Sequence, residues 1–191
     1  MASDPPRTRE RILETALTLF AHQGYDATSM REIAEQLGIT KAALYYHFDS
    51  KADIVRAMLA DTECRVSELA DWARAQPRTP DLHREVLARW SDIMQAHGLA
   101  AFRFVVANRQ LIHELSADRR GGMHECLGDL YAVLAPPDCS VEEQLRIRLA
   151  LMSINMAGLA GADIAADEAE VLAAARRLAL ELLTPDPAPA H

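Results

Sequence analysis

The chain has 191 residues, enough for one good core or for a small domain joined to a larger one. Half of the residues are hydrophobic but only 5% are aromatic, so the composition excludes a disordered chain and favours helices over sheets. The formal net charge of −8 excludes a protein that is basic throughout, but residues 1–56 hold seven basic and eight acidic side chains, which leaves room there for a local basic face.

The N-terminal region predicts a first helix over about residues 7–24. An apolar stripe at helical spacing runs from Ile12 to Phe20. Gly24 follows the stripe and marks the end of the helix, as a glycine at that position often does.

The next twenty residues predict two short helices with a tight turn between them. Ser29 and Glu32 form a capping box, in which each side chain satisfies a free backbone N–H at the start of the second helix. Gly38 ends that helix, and Thr40 caps a third one after a three-residue turn. Residues 29–48 therefore have the pattern of a helix-turn-helix, in which the second short helix can lie in a DNA major groove. A plain helical hairpin with an exposed turn is the alternative.

The third helix carries its polar and aromatic side chains on one face. Leu44 and Phe48 are four residues apart and are expected to point into the core, which leaves Lys41, Tyr45 and Tyr46 on the outer face. An exposed tyrosine pair indicates a partner that covers it. A tyrosine hydroxyl can bind a phosphate, and a lysine can reach a phosphate or a guanine edge.

A long fourth helix is predicted to follow from Lys51 to about Gln76, with Pro77 ending it. Ser50 and Asp53 form the capping box at its start. Lysine in a first helical turn is unfavourable for the helix dipole, so Lys51 indicates an external anion such as a phosphate.

The segment ILETALTLFAHQGYDATSMREIAEQLGITKAALYYHFDSKADIVRAML resembles the TetR family of transcriptional regulators, within about residues 7–60. The matching positions are Phe20, Gly24, Tyr25, Thr28, Ser29, Ile33, Ala34, Leu37, Gly38, Ile39, Thr40, Leu44, Tyr45, His47, Phe48, Ser50 and Lys51. The resemblance implies a homodimer that binds double-stranded DNA at a short palindromic operator and usually represses. It also implies that a small molecule bound in the C-terminal domain releases the DNA.

The resemblance further implies which residues face DNA. These are Thr28, Ser29, Thr40, Lys41, Ala43, Tyr45, Tyr46, His47 and Lys51. Ala42 and Ala43 stand where the family often has Gly and Thr or Ser, which leaves more of the base reading to Lys41 and Tyr46. The alternatives are that Tyr45 packs against the first helix and that His47 is simply half-buried. Three N-terminal arginines form either a solvated arm or an arm in the minor groove; they are Arg7, Arg9 and Arg11.

The C-terminal two thirds predict helices only. Residues 81–98 form one helix ended by Gly98, and residues 99–134 form two helices. The pair Gly121–Gly122 either breaks the chain or lies inside a long helix at some cost.

Two further capping residues begin the last helices. Ser140 starts a helix that runs to about Ala162, and Asp167 starts one that ends before Pro185. The prediction is an all-α fold of about nine helices. Its domains are a helix-turn-helix DNA-binding domain over 7–50, a helical effector-binding and dimerisation domain over 51–184, and a disordered tail over 185–191.

The last two helices carry more apolar surface than one packing layer can cover. Residues 149–160 are apolar nearly all round, so a second copy of the chain is expected to cover one side in a four-helix interface. The predicted interface residues are Leu151, Gly158, Leu159, Leu172, Ala175 and Leu178. The alternative is an unusually apolar internal core.

An effector pocket is predicted from bulky, adaptable side chains and a few polar groups on buried-looking helices. Its candidate residues are Trp90, Met94, Phe102, Asn108, His113, Met123, Met152 and Asn155, with Phe104, Tyr131 and Met156 as further bulky members. The pattern indicates a largely apolar effector. The alternative is that the bulky side chains are ordinary core.

Other functional classes have less support. No phosphate loop, nucleophile elbow, HExxH or paired-carboxylate signature is present, so neither an enzyme nor a cofactor is predicted. A metal- or thiol-responsive regulator on the same scaffold remains the alternative, although His124 and Cys126 are only two apart. An activator, or a protein that binds DNA only with a corepressor, is equally open.

The remaining features predict a cytoplasmic protein. The first ten residues lack the apolar region of a signal peptide. The apolar run over 149–162 is too short to span a membrane. The three cysteines form no CxxC pair, which is typical of a reducing compartment.

Overall fold

The computed structural model describes residues 5–116, 122–161 and 163–183, and within these ranges the chain is helical without a strand. The helices are α1 (Pro5–Gln23), α2 (Met30–Leu37), α3 (Lys41–His47), α4 (Lys51–Arg74), α5 (Pro80–Ile93), α6 (Leu99–Ala107), α7 (Arg109–Ser116), α8 (Met123–Leu134), α9 (Val141–Ala160) and α10 (Glu168–Leu183). A π-turn, Met94–Gly98, joins α5 to α6. The all-α prediction is confirmed, with ten helices in the described ranges where about nine were expected.

The helix ends in the first sixty residues lie where the local signals indicated. Gly24 and Gly38 have φ of 91° and 67°, conformations that glycine adopts without strain. Ser29 forms its predicted capping box with Glu32. Ser50 accepts a hydrogen bond from the backbone N–H of Asp53 at 3.2 Å, which caps α4.

The prediction that Gly98 ends a helix is wrong. Backbone conformation stays right-handed helical from α5 through the π-turn into α6, and the Leu99 N–H donates to the Met94 carbonyl. Met94 and Leu99 are both buried, so tertiary packing on either side of the turn outweighs the low helix propensity of glycine.

The region after the π-turn contains one helix more than predicted, because the chain divides at Asn108 into α6 and α7. Gly122 precedes α8 with φ of 81°, so the helical path is broken there; Gly121 lies outside the described residues. The expected tail at 185–191 also lies outside them.

The described residues form two compact units. The head unit comprises 5–61 and 100–116, and the second unit comprises 62–99, 122–161 and 163–183. The division falls inside α4, and the head unit includes most of α6 and all of α7.

Each unit has its own apolar core. The head core consists of Ile12, Ala16, Leu17, Phe20, Met30, Ile33, Ala34, Leu44, Phe48, Ile54, Val55, Met58, Ala101 and Phe104. In the second unit, α9 and α10 pack against each other extensively. Trp90 of α5 is buried there and donates its indole N–H to the Leu151 carbonyl at 3.2 Å, which ties α5 to α9.

Replacement of Gly161 by alanine should destabilise the protein. An added Cβ would lie 2.6 Å from Val171 Cγ1 and 2.9 Å from the Ala157 carbonyl oxygen, which is closer than real contacts allow. Overpacking of this kind costs about 1–3 kcal/mol, so the midpoint of denaturant unfolding should fall.

The matched control is Gly128→Ala in α8, where no described atom lies within 4 Å of the added Cβ. That variant should gain about 0.5–1 kcal/mol of stability from the lower chain entropy of alanine. A Gly161→Ala midpoint at or above that of the unmodified protein would contradict the close approach of α9 and α10.

Candidate nucleic-acid interface

The turn between α2 and α3 is fixed by backbone hydrogen bonds. The N–H of Gly38 donates to the carbonyls of Ala34 and Glu35, and the Ile39 N–H donates to the Ala34 carbonyl at 3.0 Å. Thr40 then caps α3 by accepting the Ala43 N–H at 3.1 Å. These bonds satisfy several of the free backbone groups at the end of α2 and the start of α3, so α3 leaves α2 at a defined angle.

One face of α3 is anchored in the head core. Leu44 is fully buried and Phe48, just after the helix, is 5% exposed. Both belong to the same apolar cluster as Ile33 of α2 and Phe20 of α1. The opposite face of α3 is therefore held outward by burial of these side chains.

The outward face of α3 carries most of the residues predicted to contact DNA. Tyr46 is 84% exposed and Tyr45 is 40% exposed. Lys41 is exposed, and its Nζ lies 5.5 Å from the centroid of the Tyr45 ring. His47 is half-buried and sits edge-on to the Tyr46 ring at 5.3 Å. Thr40, Ala42 and Ala43 are exposed at the start of the helix.

Three predicted DNA contacts have partners inside the protein. Thr28 is 1% exposed, and its hydroxyl donates to the Gly24 carbonyl at 2.8 Å, so we leave it out of the face. The Ser29 hydroxyl accepts the Glu32 N–H at 3.2 Å while remaining exposed. Lys51 Nζ donates to the Tyr25 carbonyl at 2.6 Å. Sequence reasoning missed this last contact because Tyr25 and Lys51 are 26 residues apart.

The basic N-terminal region also contacts the head core. The Arg9 guanidinium lies over the Phe48 ring, 5.2 Å from its centroid, while the residue as a whole is exposed. A cation above an aromatic face is attracted by the ring quadrupole. Arg9 is thus held against Phe48, the residue that follows α3.

Hydrogen bonding and burial shift two pKa values next to this face. Hydrogen bonds from Ser29, first from its hydroxyl and then from its backbone N–H, lower the pKa of Glu32. Burial raises the pKa of the Tyr25 hydroxyl, and the nearby Asp26 carboxylate raises it further. Both groups keep their ordinary charge at neutral pH.

The predicted effector residues are divided between the two units. Phe102, Asn108 and His113 lie in the head unit, and the remaining five lie in the second unit. The Asn108 amide donates to the Phe104 carbonyl at 2.8 Å, and His113 is exposed.

Within the second unit, the other five residues do not share one environment. Trp90 and Met94 are core residues, and Met123 packs against that core. Met152 is 48% exposed on α9. The Asn155 Oδ1 is buried and, among the described residues, has no hydrogen-bond partner.

Four of the six predicted interface residues are buried within the single chain. Leu151 and Gly158 of α9, with Leu172 and Ala175 of α10, lie where these two helices pack against each other and against α5. Leu159 is half-buried, and Leu178 of α10 is 57% exposed.

A different apolar surface is exposed on α9. We name it the α9 stripe; it consists of Val141, Leu145, Leu149, Met152 and Met156, which are 74%, 50%, 49%, 48% and 41% exposed. Spacings of three and four residues put them on one side of the helix. That spacing was readable in the sequence, but apolar residues on the other faces of α9 obscured it. A groove of about 420 Å³ between α9 and α10 continues the stripe through Met156 and Leu178.

The described part of the chain contains neither a candidate metal site nor a candidate membrane-spanning helix. Its His, Cys, Asp and Glu side chains form no group of three that could hold a metal ion. None of the helices there is both long and apolar enough to cross a membrane.

Substitution of Ser29 by alanine should raise the pKa of Glu32 toward its ordinary value, because the lost hydroxyl is the main cause of the lowering. A lowered carboxyl pKa stabilises the fold above the pKa of the unfolded chain, and the contribution is lost as the pH falls through the folded pKa. NMR titration of the side-chain carboxyl carbons measures the pKa of each glutamate.

Glu143 is the internal control, because Ser140 lowers its pKa in the same type of capping box. The pKa of Glu143 should not change in the Ser29 variant. An unchanged Glu32 titration would refute the assignment.

Known proteins resemble this chain in sequence at its N-terminus and in fold along most of its length. Residues 12–58 match the model of bacterial regulatory proteins, tetR family. The HTH-type transcriptional regulator AcrR of Shigella flexneri is 42% identical over 62 residues, which are 32% of this chain and 29% of AcrR. The negative transcriptional regulator IcaR of the Staphylococcus aureus biofilm operon icaADBC is 50% identical over 46 residues, 24% of this chain and 25% of IcaR.

The sequence matches therefore span less than a third of these regulators. The crystal structure of the TetR-family transcriptional regulator PfmR from Thermus thermophilus superposes with a TM-score of 0.66 at 23% identity, covering 92% of this chain and 95% of PfmR. That likeness extends the common fold beyond the matched segment. Residues 12–58 are therefore similar in sequence to the tetR family of bacterial regulatory proteins, and the fold of the chain is similar to that of PfmR.

Proposed function

We propose that this protein is a TetR-family transcriptional repressor that binds a palindromic operator as a homodimer. A small, largely apolar effector releases it from the DNA. The observation that carries the proposal is the exposed Tyr46 and Lys41 on a short helix whose other face is anchored by Leu44 and Phe48.

The outward face of α3 suits DNA in shape and chemistry. Its first residues, from Thr40 to Ala43, are small except for Lys41, so the helix can approach base edges closely. Lys41 supplies a positive charge for a phosphate, and Tyr46 supplies a hydroxyl and a flat ring for phosphate and sugar. The proposed face comprises Ser29, Thr40, Lys41, Ala43, Tyr45, Tyr46 and His47.

Repression rests on the related proteins. IcaR is a negative transcriptional regulator, and it is 50% identical to this chain over 46 residues. A bound dimer that covers an operator excludes other proteins from that DNA. Repression is therefore the simplest outcome of binding.

Dimerisation is supported by the α9 stripe. Its residues from Val141 to Met156 extend over about 22 Å at 1.5 Å per residue, and they form a contiguous exposed apolar surface. A second copy of the chain, related by a two-fold axis, would cover the stripe and Leu178 with the same residues. Two heads on one dimer then fit two half-sites about 34–36 Å apart.

An effector site is supported by Asn155. A buried amide oxygen without a donor costs free energy that a guest with an N–H or O–H group would recover. The site would lie among apolar side chains of the second unit, which favours a largely apolar guest. A thiol sensor has less support, because burial raises the pKa of Cys126 and so disfavours its reactive thiolate.

The proposed release acts through α4, a helix of 24 residues, about 36 Å long, that contains residues of both units. A guest that tilts this helix would alter the spacing of the two heads. Both half-site contacts would then weaken together.

The first experiment is selection of bound duplexes from a random DNA pool by the purified protein without added ligand. Enrichment of a palindrome supports a dimeric DNA reader and supplies the operator. Absence of enrichment, both alone and with a cell extract that contains candidate corepressors, would refute the proposed function.

Replacement of Lys41 by methionine should weaken operator binding and flatten its salt dependence. Each lost phosphate contact reduces the magnitude of the slope of log affinity against log salt by about one. A dimer loses one contact in each protomer, so the magnitude should fall by about two. Tyr46→Phe should weaken binding at constant slope, because its hydroxyl is neutral. Fluorescence anisotropy at several salt concentrations measures both.

The control is Arg84→Met, which removes another exposed cation, from α5. It should leave affinity and slope unchanged. Unaltered operator affinity in both α3 variants would rule out this face.

Introduction of glutamate at Leu149 should convert the dimer to a monomer, because the stripe would then bury two unpaired carboxylates across the two-fold axis. Light scattering at micromolar concentration measures the mass. Val106→Glu on α6 changes a residue of similar exposure, 41%, that is not part of the stripe, and this variant should stay dimeric. A monomeric unmodified protein would exclude this interface.

A further inference from the structure

The turn between α1 and α2 is held by a lysine from the next long helix. Lys51 Nζ donates to the Tyr25 carbonyl at 2.6 Å and approaches the Asp26 carbonyl at 3.4 Å. The same ammonium lies 4.4 Å from the centroid of the Tyr25 ring. One cation therefore fixes both the backbone and the side chain of Tyr25.

A phenylalanine from α6 holds the same tyrosine from within the core. Phe104 is 3% exposed and stacks on Phe20 with ring centroids 5.5 Å apart. Tyr25 completes the group, 5.3 Å from Phe20 and 6.2 Å from Phe104. We name Lys51, Tyr25 and Phe104 the Tyr25 clamp.

The clamp lies directly before the helices that carry the proposed DNA face. Three residues after Tyr25, the Thr28 hydroxyl closes the turn on the Gly24 carbonyl, and Ser29 then begins α2. The position of Tyr25 thus sets where α2 starts. Because the turn at Gly38 is fixed, a shift of α2 would also shift α3.

We propose that Lys51 and Phe104 are positioning residues for DNA binding that act through Tyr25 without touching DNA. This rests on the proposed function and adds a determinant of it from α6, about fifty residues beyond the start of α4. It also changes the role of Lys51. Its ammonium lies within hydrogen-bond distance of two carbonyl oxygens, which makes the lysine a brace of the α1–α2 turn and not a phosphate ligand.

The test is a double-mutant cycle read by operator affinity, using the full chain and the duplex obtained by selection. Lys51→Met and Phe104→Leu should each weaken binding by about tenfold. Both variants should keep the unmodified slope of log affinity against log salt, since no phosphate contact is lost. Together they should weaken binding by less than the product of the single effects, because both act on Tyr25.

Tyr25→Leu provides a second route, since it removes the shared ring from a half-buried position and leaves an apolar side chain there. In that background Phe104→Leu should have a smaller effect on affinity than in the unmodified protein. Lys41→Met is the matched lysine control. It should reduce the magnitude of the slope of log affinity against log salt, whereas Lys51→Met should leave that slope unchanged.

Each opposing result has a distinct meaning. If Lys51→Met reduces the magnitude of the slope of log affinity against log salt, Lys51 is a phosphate ligand and its positioning role is overturned. A Phe104→Leu variant that melts at lower temperature but binds the operator normally would overturn the role of Phe104. If the effects of Lys51→Met and Phe104→Leu on the free energy of operator binding add fully, the two residues do not act through Tyr25. If the unmodified protein binds no duplex, the proposed function fails and the clamp proposal, which rests on it, is overturned too.

Discussion

Burial of one side of α3 is the constraint on which the rest of the head depends. A helix of seven residues is too short to be stable alone, so Leu44 and the following Phe48 must supply tertiary packing. Because these side chains enter the core, the tyrosine pair can only face solvent. Burial of the apolar side of α3 therefore determines which side chains lie on its outer face. The capped turn at Gly38 fixes the direction of that face.

Features specified by neighbouring residues could be predicted from the sequence. The capping boxes at Ser29 and Ser140, and the glycines that end α1 and α2, depend on side chains within a few positions of each other. Such signals act through backbone groups that are free only at helix ends. The resemblance to the TetR family added the functional meaning of this local pattern.

Features specified by distant residues could not be predicted in this way. Nothing near Lys51 indicates that its ammonium meets the carbonyl of Tyr25, and nothing near Phe104 indicates that α6 enters the head core. Gly98 shows the same limit, since burial of its neighbours overrides a residue that ordinarily ends helices. On α9, apolar residues on several faces hid which side packs inside the protomer and which side is exposed.

The contribution of α6 to the head core has a consequence for protein engineering. Sensors are often assembled by grafting the DNA-reading part of one regulator onto the ligand-reading part of another. A graft that transfers residues 1–61 of this chain alone would leave Phe20 and Tyr25 without the ring of Phe104 and would expose core surface covered here by Ala101. A working chimaera would have to carry those two α6 side chains, or equivalents of the same size, in the recipient scaffold.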